Sequence, residues 1–183
     1  MPPLFIAAGR TLRQKAPSVK CHGDIPAFCF TREYEEREDL LTGTSELFRK
    51  SDAIRHCETS MCYDVDPVSG EFTYLLGRGI FHPDDLKKIP ADKMVQVEIK
   101  GLYAVFSTPP VPFEQHDRCA QVIQETWNEV LTQWLPYSEF EYDETRRDYE
   151  YYDYRDHGWY FENKRQMDIC IPVRQREEAS QKS

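Results

Sequence analysis

The chain has 183 residues, and 23 Lys and Arg against 32 Asp and Glu give it a formal net charge of −9. Hydrophobic residues at 40% and aromatic residues at 13% suffice to pack the core of one domain or two small ones, which excludes a wholly disordered chain. Binding to a phosphate backbone needs clustered Lys and Arg, so the acid excess argues against direct contact with nucleic acid. The same excess, together with 11 Tyr and 10 Phe, suits the attraction of cations.

The cysteines and the N-terminus favour a cytoplasmic protein. None of the six cysteines forms a C-x-x-C pair, and most lie in apolar runs, as buried reduced thiols do. The first residues lack the basic stretch of a signal peptide, and no apolar run is long enough to cross a membrane, so we expect no membrane contact. The five histidines show no zinc spacing, and no glycine-rich phosphate loop is present, so we expect neither a metal nor a cofactor.

In the first half of the chain, hydrophobic periodicity predicts a strand, a helix and a hairpin. Apolar residues between Leu40 and Ile54 recur at three- and four-residue steps, which is typical of an amphipathic helix. Asp66 to Gly70 are turn formers between two β-prone runs. The expected elements are a short strand or arm at residues 4–8, a buried strand at 25–31, a helix at 40–54, and a hairpin with strands at 60–65 and 72–77.

The second half repeats this order after a proline-containing linker at residues 82–93. Apolar residues from Cys119 to Trp134 again recur at helical spacing, and Pro136 ends the pattern. The expected elements are strands at 94–99 and 102–107 joined through Gly101, a helix at 114–134, an aromatic strand at 149–154, and a final strand at 167–173.

Two copies of one strand–helix–hairpin unit predict an α+β domain at residues 18–175, built from two βαββ repeats at 18–81 and 94–175. Each unit alone has too little core, whereas the pair can form one antiparallel sheet with both helices on one face. The concave face opposite the helices is then the expected place for a ligand. Residues 1–17 are assigned to an N-terminal arm and residues 176–183 to a polar tail.

Residues 139–156 combine eight acids and five tyrosines with three arginines. Aromatic rings attract a flat cation by stacking and by cation–π interaction, and a carboxylate adds charge. The window is therefore a candidate cation site. The alternative is a solvated acidic loop beside an edge strand with half-buried tyrosines.

Alternation along the final strand separates its side chains into two sets. Ile169, Ile171 and Val173 share one face and should point to the helices, so Asp168 and Cys170 should point into the concave face. A carboxylate flanked by apolar residues is either paired or part of a ligand site. The alternative for Asp168 is simple exposure on an open sheet.

The other aromatic residues are harder to place. Glu150 and Tyr152 share a face of the tyrosine strand, but the pattern does not decide which way that face points. Trp127 and Trp134 lie on the apolar stripe of the second helix and are assigned to the core. Trp159, in a Gly-Trp-Tyr-Phe stretch, belongs either to a loop packed on the sheet or to the rim of a pocket.

Several short motifs, taken in order, resemble those of the GyrI-like effector-binding domain. Each is unspecific alone, but their order and spacing together are specific, and they cover residues 18–175. The motifs are PAF at 26–28, YLLG at 74–77, GLYAVF at 101–106, WLP at 134–136, YEYY at 149–152 and DICIPV at 168–173.

This resemblance implies two βαββ repeats with pseudo-two-fold symmetry and a ligand cleft between them. It also implies binding of small hydrophobic, often cationic compounds, with a buried acid opposing the charge. Family members form the ligand-sensing half of AraC-type and MerR-type transcription regulators or stand alone, so a DNA-binding domain in a longer chain would be a partner. Asp168 stands where many members have Glu, and because its side chain is shorter, Glu150 is the alternative residue for the charge contact.

The expected function is that of a sensor domain for small hydrophobic, cationic compounds rather than that of an enzyme. One alternative is a hydrolase of reactive electrophilic molecules, with Glu150 and Tyr103 as acid and base. Another is a gyrase-inhibitor-like interaction protein whose acidic surface mimics DNA. No catalytic residue is assigned. The expected ligand-binding residues are Glu150, Asp168, Tyr103, Tyr152, Tyr74, Trp159 and Cys170.

Overall fold

The computed structural model describes residues 5–15, 58–66, 68–80, 84, 95–156 and 162–176, and for residues 5–15 it describes the backbone alone. The strand expected at 25–31, the helix expected at 40–54 and most of the linker at 82–93 lie outside the described residues. The same holds for Trp159 and for all but the first residue of the polar tail.

The described residues form strands and one α-helix, which a wider helical turn (Val130–Trp134) and a 3-10 turn (Leu135–Tyr137) continue. In chain order, the elements are β1 (Phe5–Lys15), β2 (Glu58–Tyr63), β3 (Glu71–Ile80), β4 (Val95–Ile99), β5 (Tyr103–Ser107), β6 (Val111–Pro112), α1 (His116–Glu129), β7 (Phe140–Tyr142), β8 (Tyr149–Tyr152), β9 (Lys164–Arg165) and β10 (Asp168–Gln175).

Eight of these strands form one sheet, in the order β4-β1-β3-β2-β8-β10-β5, with β7 paired to the end of β10. Every described strand pair is antiparallel, including the separate ladder of β6 and β9. Since α1 packs on this sheet, the protein is a mixed α+β structure with an antiparallel sheet, as the sequence predicts. The short strands β6, β7 and β9 were not predicted, because two or three residues are too few to show alternation.

β1 is longer than the strand or arm expected at residues 4–8. It pairs with β3 through residues 6–15 and with β4 through residues 5–9, so it is an integral strand of the sheet. The assignment of residues 1–17 to an arm outside the domain is therefore corrected. Residues 10–15 are mostly polar and lack the apolar alternation from which a strand is predicted. They still form a strand, because pairing with β3 is made by backbone groups and needs no apolar side chains.

α1 ends at Glu129, earlier than the end predicted at residue 134. The chain stays helical in the wider turn, where the Leu135 N–H donates to the Val130 carbonyl. Pro136 lies within the 3-10 turn that follows, and the helical segment ends with that turn at Tyr137. Along α1, Val122, Ile123 and Trp127 are buried at helical spacing and face the sheet.

The face of the sheet that contacts α1 carries the larger core cluster. Ile169, Ile171 and Val173 of β10 are each 2% exposed or less and pack with the buried residues of α1. The prediction that these branched residues face the helix is confirmed. Directly paired residues of antiparallel strands point to the same face of the sheet. The face to which any other strand residue points can therefore be read from its pairing partner.

The opposite face is filled by the protein's own side chains. A three-residue connection joins β4 to β5, although these strands stand at the two ends of the sheet order, so the sheet curls to bring its ends together. The expected open, concave cleft is therefore not found among the described residues of this face. Its core cluster consists of Met61, Leu75, Ile99, Tyr103, Tyr149 and Cys170, each 7% exposed or less.

Candidate functional site

A cavity of about 550 Å³ lies where β2 and β8 separate. The two strands pair from Glu58–Tyr152 to Ser60–Glu150, and the residues that continue β2 and precede β8 then line the cavity. This volume lies in the range typical of small-molecule sites. The lining residues are Cys62, Asp64 and Val65 after the pairing, Trp127 and Leu131 of the helix, and Tyr142, Glu144, Arg146, Arg147 and Asp148 around the β7–β8 loop.

The lining is graded from a buried base to an exposed mouth. At the base, Trp127 is 2% exposed and Asp148 is 5% exposed. At the mouth, the side chains of Arg147 and Asp64 are 47% and 59% exposed. A ligand entering at the mouth would thus leave water as it approaches the base, where charge interactions are strongest.

A tyrosine holds the carboxylate at the base. The Tyr142 hydroxyl donates to Oδ2 of Asp148 at 2.7 Å. Burial and the Asp148 charge both raise the pKa of Tyr142 above its ordinary value, so the hydroxyl keeps its proton and remains a donor. The base therefore combines two aromatic rings, Trp127 and Tyr142, with a buried and oriented carboxylate.

Glu150 lies at the deep end of this arrangement. It is 5% exposed, and it lines a small void of about 10 Å³ together with Asp148 and Trp127. The Tyr152 hydroxyl donates to Glu150 Oε2 at 2.6 Å, and the Ser60 hydroxyl donates to the same oxygen at 2.8 Å. Because Glu150 pairs with Ile169, it points to the helix side of the sheet. The structure therefore brings two predicted site residues, Glu150 and Tyr152, together.

The loop that carries Arg147 and Asp148 is held by Arg146. Its guanidinium donates to Asp143 at 2.8 Å, to the carbonyl oxygens of residues 100 and 102 at 2.9 Å, and to that of Val173 at 2.8 Å. Hydrogen bonds from Thr145 and Arg146 lower the pKa of Asp143 to about 2, so it is ionised and keeps the clamp charged. The loop that carries Arg147 and Asp148 is therefore held in a fixed position at the wall of the cavity.

Gly101 makes room for this clamp. It has a φ of +89°, and a Cβ at this position would collide with the Arg146 guanidinium. Glycine adopts this backbone conformation without the strain that a side chain would bring. The glycine of the sequence motif thus serves the Arg146 clamp and, through it, the wall of the cavity.

Three of the predicted site residues, Tyr103, Cys170 and Asp168, lie on the opposite face of the sheet. The Tyr103 hydroxyl donates to the Arg147 carbonyl at 3.0 Å, and burial raises the pKa of Tyr103 to about 12. Cys170 is 2% exposed, and burial raises the pKa of its thiol to about 12. Neither side chain lines the cavity. Tyr103 instead positions the loop that does.

Asp168 belongs to a separate ionic cluster. It accepts a hydrogen bond from the Ser107 hydroxyl at 2.6 Å and another from Arg155 at 2.6 Å. Arg155 in turn donates to Asp153 at 2.9 Å. Asp168 was expected to be either a paired carboxylate or a ligand contact. The structure shows a paired carboxylate, because Arg155 donates a hydrogen bond to it.

Tyr74 is buried at 6% exposure and pairs with Cys62, which places it on the helix side beside the cavity without lining it. Trp159 lies outside the described residues. Since Glu150 and Tyr103 point to opposite faces, they do not form the acid–base pair considered for a hydrolase.

Sequence reasoning missed three residues of the base: Asp148, Tyr142 and Trp127. Asp148 and Tyr142 were counted among the acids and tyrosines of residues 139–156, but neither was selected. Trp127 was assigned to the core, and it does pack there while also lining the cavity. One sequence pattern could have identified Asp148. It lies two residues before Glu150, and residues two apart on an extended chain point to the same face.

Among the described residues, no group of three or more His, Cys, Asp or Glu side chains is arranged to hold a metal ion. Within the same part of the chain, no helix combines the length and the hydropathy of a membrane-spanning segment.

No protein-family model matches the chain, and no curated protein matches its sequence. Solved structures that are similar to it include an integron cassette protein and an uncharacterized conserved protein. The integron cassette protein VCH_CASS2 from the mobile metagenome of Vibrio cholerae is 18% identical, with a TM-score of 0.47 over 94% of this chain and 92% of that chain. An uncharacterized conserved protein from Listeria innocua is 12% identical, with a TM-score of 0.41 over 94% of this chain and 89% of that chain. Neither likeness supports an assignment of function, which depends on the cavity.

Proposed function

We propose that this protein is a small-molecule effector-binding domain of the GyrI-like type that binds hydrophobic cations in the cavity between β2 and β8. The observation that carries the proposal is the base of the cavity, where the buried Asp148 carboxylate lies beside the rings of Trp127 and Tyr142. Aromatic faces and a carboxylate together favour a flat cation over a neutral or anionic molecule of the same shape.

The order of the strands supports a two-repeat organisation. Apart from β4, which pairs outside β1, one half of the sheet runs β1-β3-β2 and the other runs β8-β10-β5, so in each half the hairpin lies next to the boundary and a further strand lies beyond it. The halves meet at β2 and β8, which are antiparallel, as a two-fold axis through this pair requires. The cavity opens beside this boundary and follows the resemblance in lying between the repeats.

The location differs from the expected open cleft opposite the helices. Trp127 and Leu131 of the helical segment line the cavity, and Glu150 points to the same side. We therefore place the ligand on the helix side, with Asp148 at the base and Glu150 beyond it. Such a site would serve a cytoplasmic transcription regulator or a stand-alone drug-binding protein equally well.

Calorimetric titration with ethidium, a planar aromatic monocation, tests the proposal. We expect saturable binding, and we expect Asp148→Asn to weaken it about 10- to 100-fold, because the variant keeps an acceptor for Tyr142 but removes a buried charge. Glu98→Gln is the matched control, since it makes the same charge change at an exposed pair with Lys100. Absence of binding, or equal affinity of wild type and Asp148→Asn, would refute the proposal.

A further inference from the structure

The mouth of the cavity already holds a cation of the protein's own. The Arg147 side chain reaches from the segment before β8 to the end of β2, where its Nη2 lies 3.5 Å from Asp64 Oδ1. Its guanidinium carbon lies 4.8 Å from the centre of the Tyr63 ring. Arg147 and Asp64 both line the cavity. The Tyr63 ring packs against the core cluster of the opposite face, so Arg147 reaches from that ring to the Asp64 carboxylate at the mouth.

We propose that the mouth is a second cation subsite, occupied by Arg147 in the free protein, and that the effector is an elongated dication. This inference rests on the proposed function. One charge of the effector lies at the base near Asp148, and the other displaces Arg147 from Asp64. A monocation leaves Arg147 in place.

The displacement is energetically feasible because Arg147 is weakly held. Both members of its ion pair are about half exposed, and their charged atoms are 3.5 Å apart. Exposed pairs of this kind contribute little to stability, and the guanidinium can move into solvent without losing hydration. Arg146, the preceding residue, is unsuited to this role because carbonyl oxygens and Asp143 hold it.

The spacing of the two subsites sets the length of the effector. Cys62 lines the cavity and also the small void at its deep end, and Asp64 follows two residues later at the mouth. Because Asp148 and Asp64 line the same cavity, a short linker between the two charges of the effector should let it contact both carboxylates. Ethidium and propidium form a matched pair of probes, because propidium is the same aromatic cation with a second ammonium on a short chain.

Titration of both probes into the wild type and three variants tests the proposal. Asp64→Asn removes the charge at the mouth and suits the positive φ of this position, 52°, which Asn tolerates. Arg147→Met removes the resident cation while keeping an apolar stem. Arg118→Met is the control for net charge, since Arg118 pairs with Glu125 on the exposed side of α1.

We expect propidium to bind more tightly than ethidium, and we expect Asp64→Asn to weaken propidium binding more than ethidium binding and so to narrow this difference. Arg147→Met should widen the difference about five-fold relative to Arg118→Met, because the competing cation is gone. A propidium-to-ethidium ratio that neither variant changes would overturn the second subsite while leaving the proposed function intact. Failure of both probes to bind wild type would overturn both.

Discussion

On the helix side of the sheet, Asp148 and Glu150 are buried beside a cavity, whereas on the opposite side Tyr103, Tyr149 and Cys170 are buried against one another. Both faces carry polar side chains of the kinds that bind ligands. Among the described residues, only the helix side combines them with a cavity, because β2 and β8 separate there while the curled sheet closes on the other face. Polar residues in a core therefore indicate a site only where the backbone leaves room beside them.

The largest expected effect on stability comes from replacing Arg146, the residue that joins the two faces of the sheet. Arg146 contacts the Tyr103 ring at 5.1 Å on one face and holds the loop that lines the cavity on the other. We expect Arg146→Met to lower the free energy of unfolding by about 2–4 kcal/mol, because it leaves Asp143 and three carbonyl oxygens without their charged donor. Urea unfolding measures this, and Arg118→Met is the control. A loss no larger than that of the control would show that the clamp does not join the regions.

A smaller difference in stability is expected between matched variants on the two faces of the sheet. Tyr152→Phe removes a donor to the buried Glu150 carboxylate, and Tyr103→Phe removes a donor to a carbonyl. Hydrogen bonds to charged groups contribute about 1.5–3 kcal/mol and neutral ones about 0.5–1.5 kcal/mol, so Tyr152→Phe should destabilise the protein more. The shift in the urea midpoint measures both, and equal shifts would contradict the comparison.

Local patterns predicted much of the described fold. Branched residues at alternate positions gave the final strand its helix-facing side, and the turn formers at 66–70 placed the β2–β3 hairpin. The polar half of β1 could not be predicted. The pairing of β1 with β3 and β4 is made by backbone groups, which the pattern of side chains does not reveal. The two-repeat organisation remains a prediction that the strand order supports.

The candidate site was predicted less well, because it depends on register and on distant segments. Tyr149 and Glu150 alternate, and only the pairing with Ile169 decides which of them points to the helix. Asp148 follows two arginines and reads locally as part of a solvated loop. Its burial comes from residues such as Tyr142 and Trp127, whose approach the sequence does not reveal.

The central claim is that a cation binds on the helix side, at the base of the cavity. The indole N–H signals of the three tryptophans in a proton–nitrogen NMR spectrum test it directly, with Trp134→Phe and Trp159→Phe used for assignment. Trp127 lines the cavity, whereas Trp134 packs between Phe106 and Phe140. Saturation with ethidium should shift the Trp127 signal and leave that of Trp134 in place. An unchanged Trp127 signal, with shifts instead at Val105 and Tyr151 on the opposite face, would contradict the account.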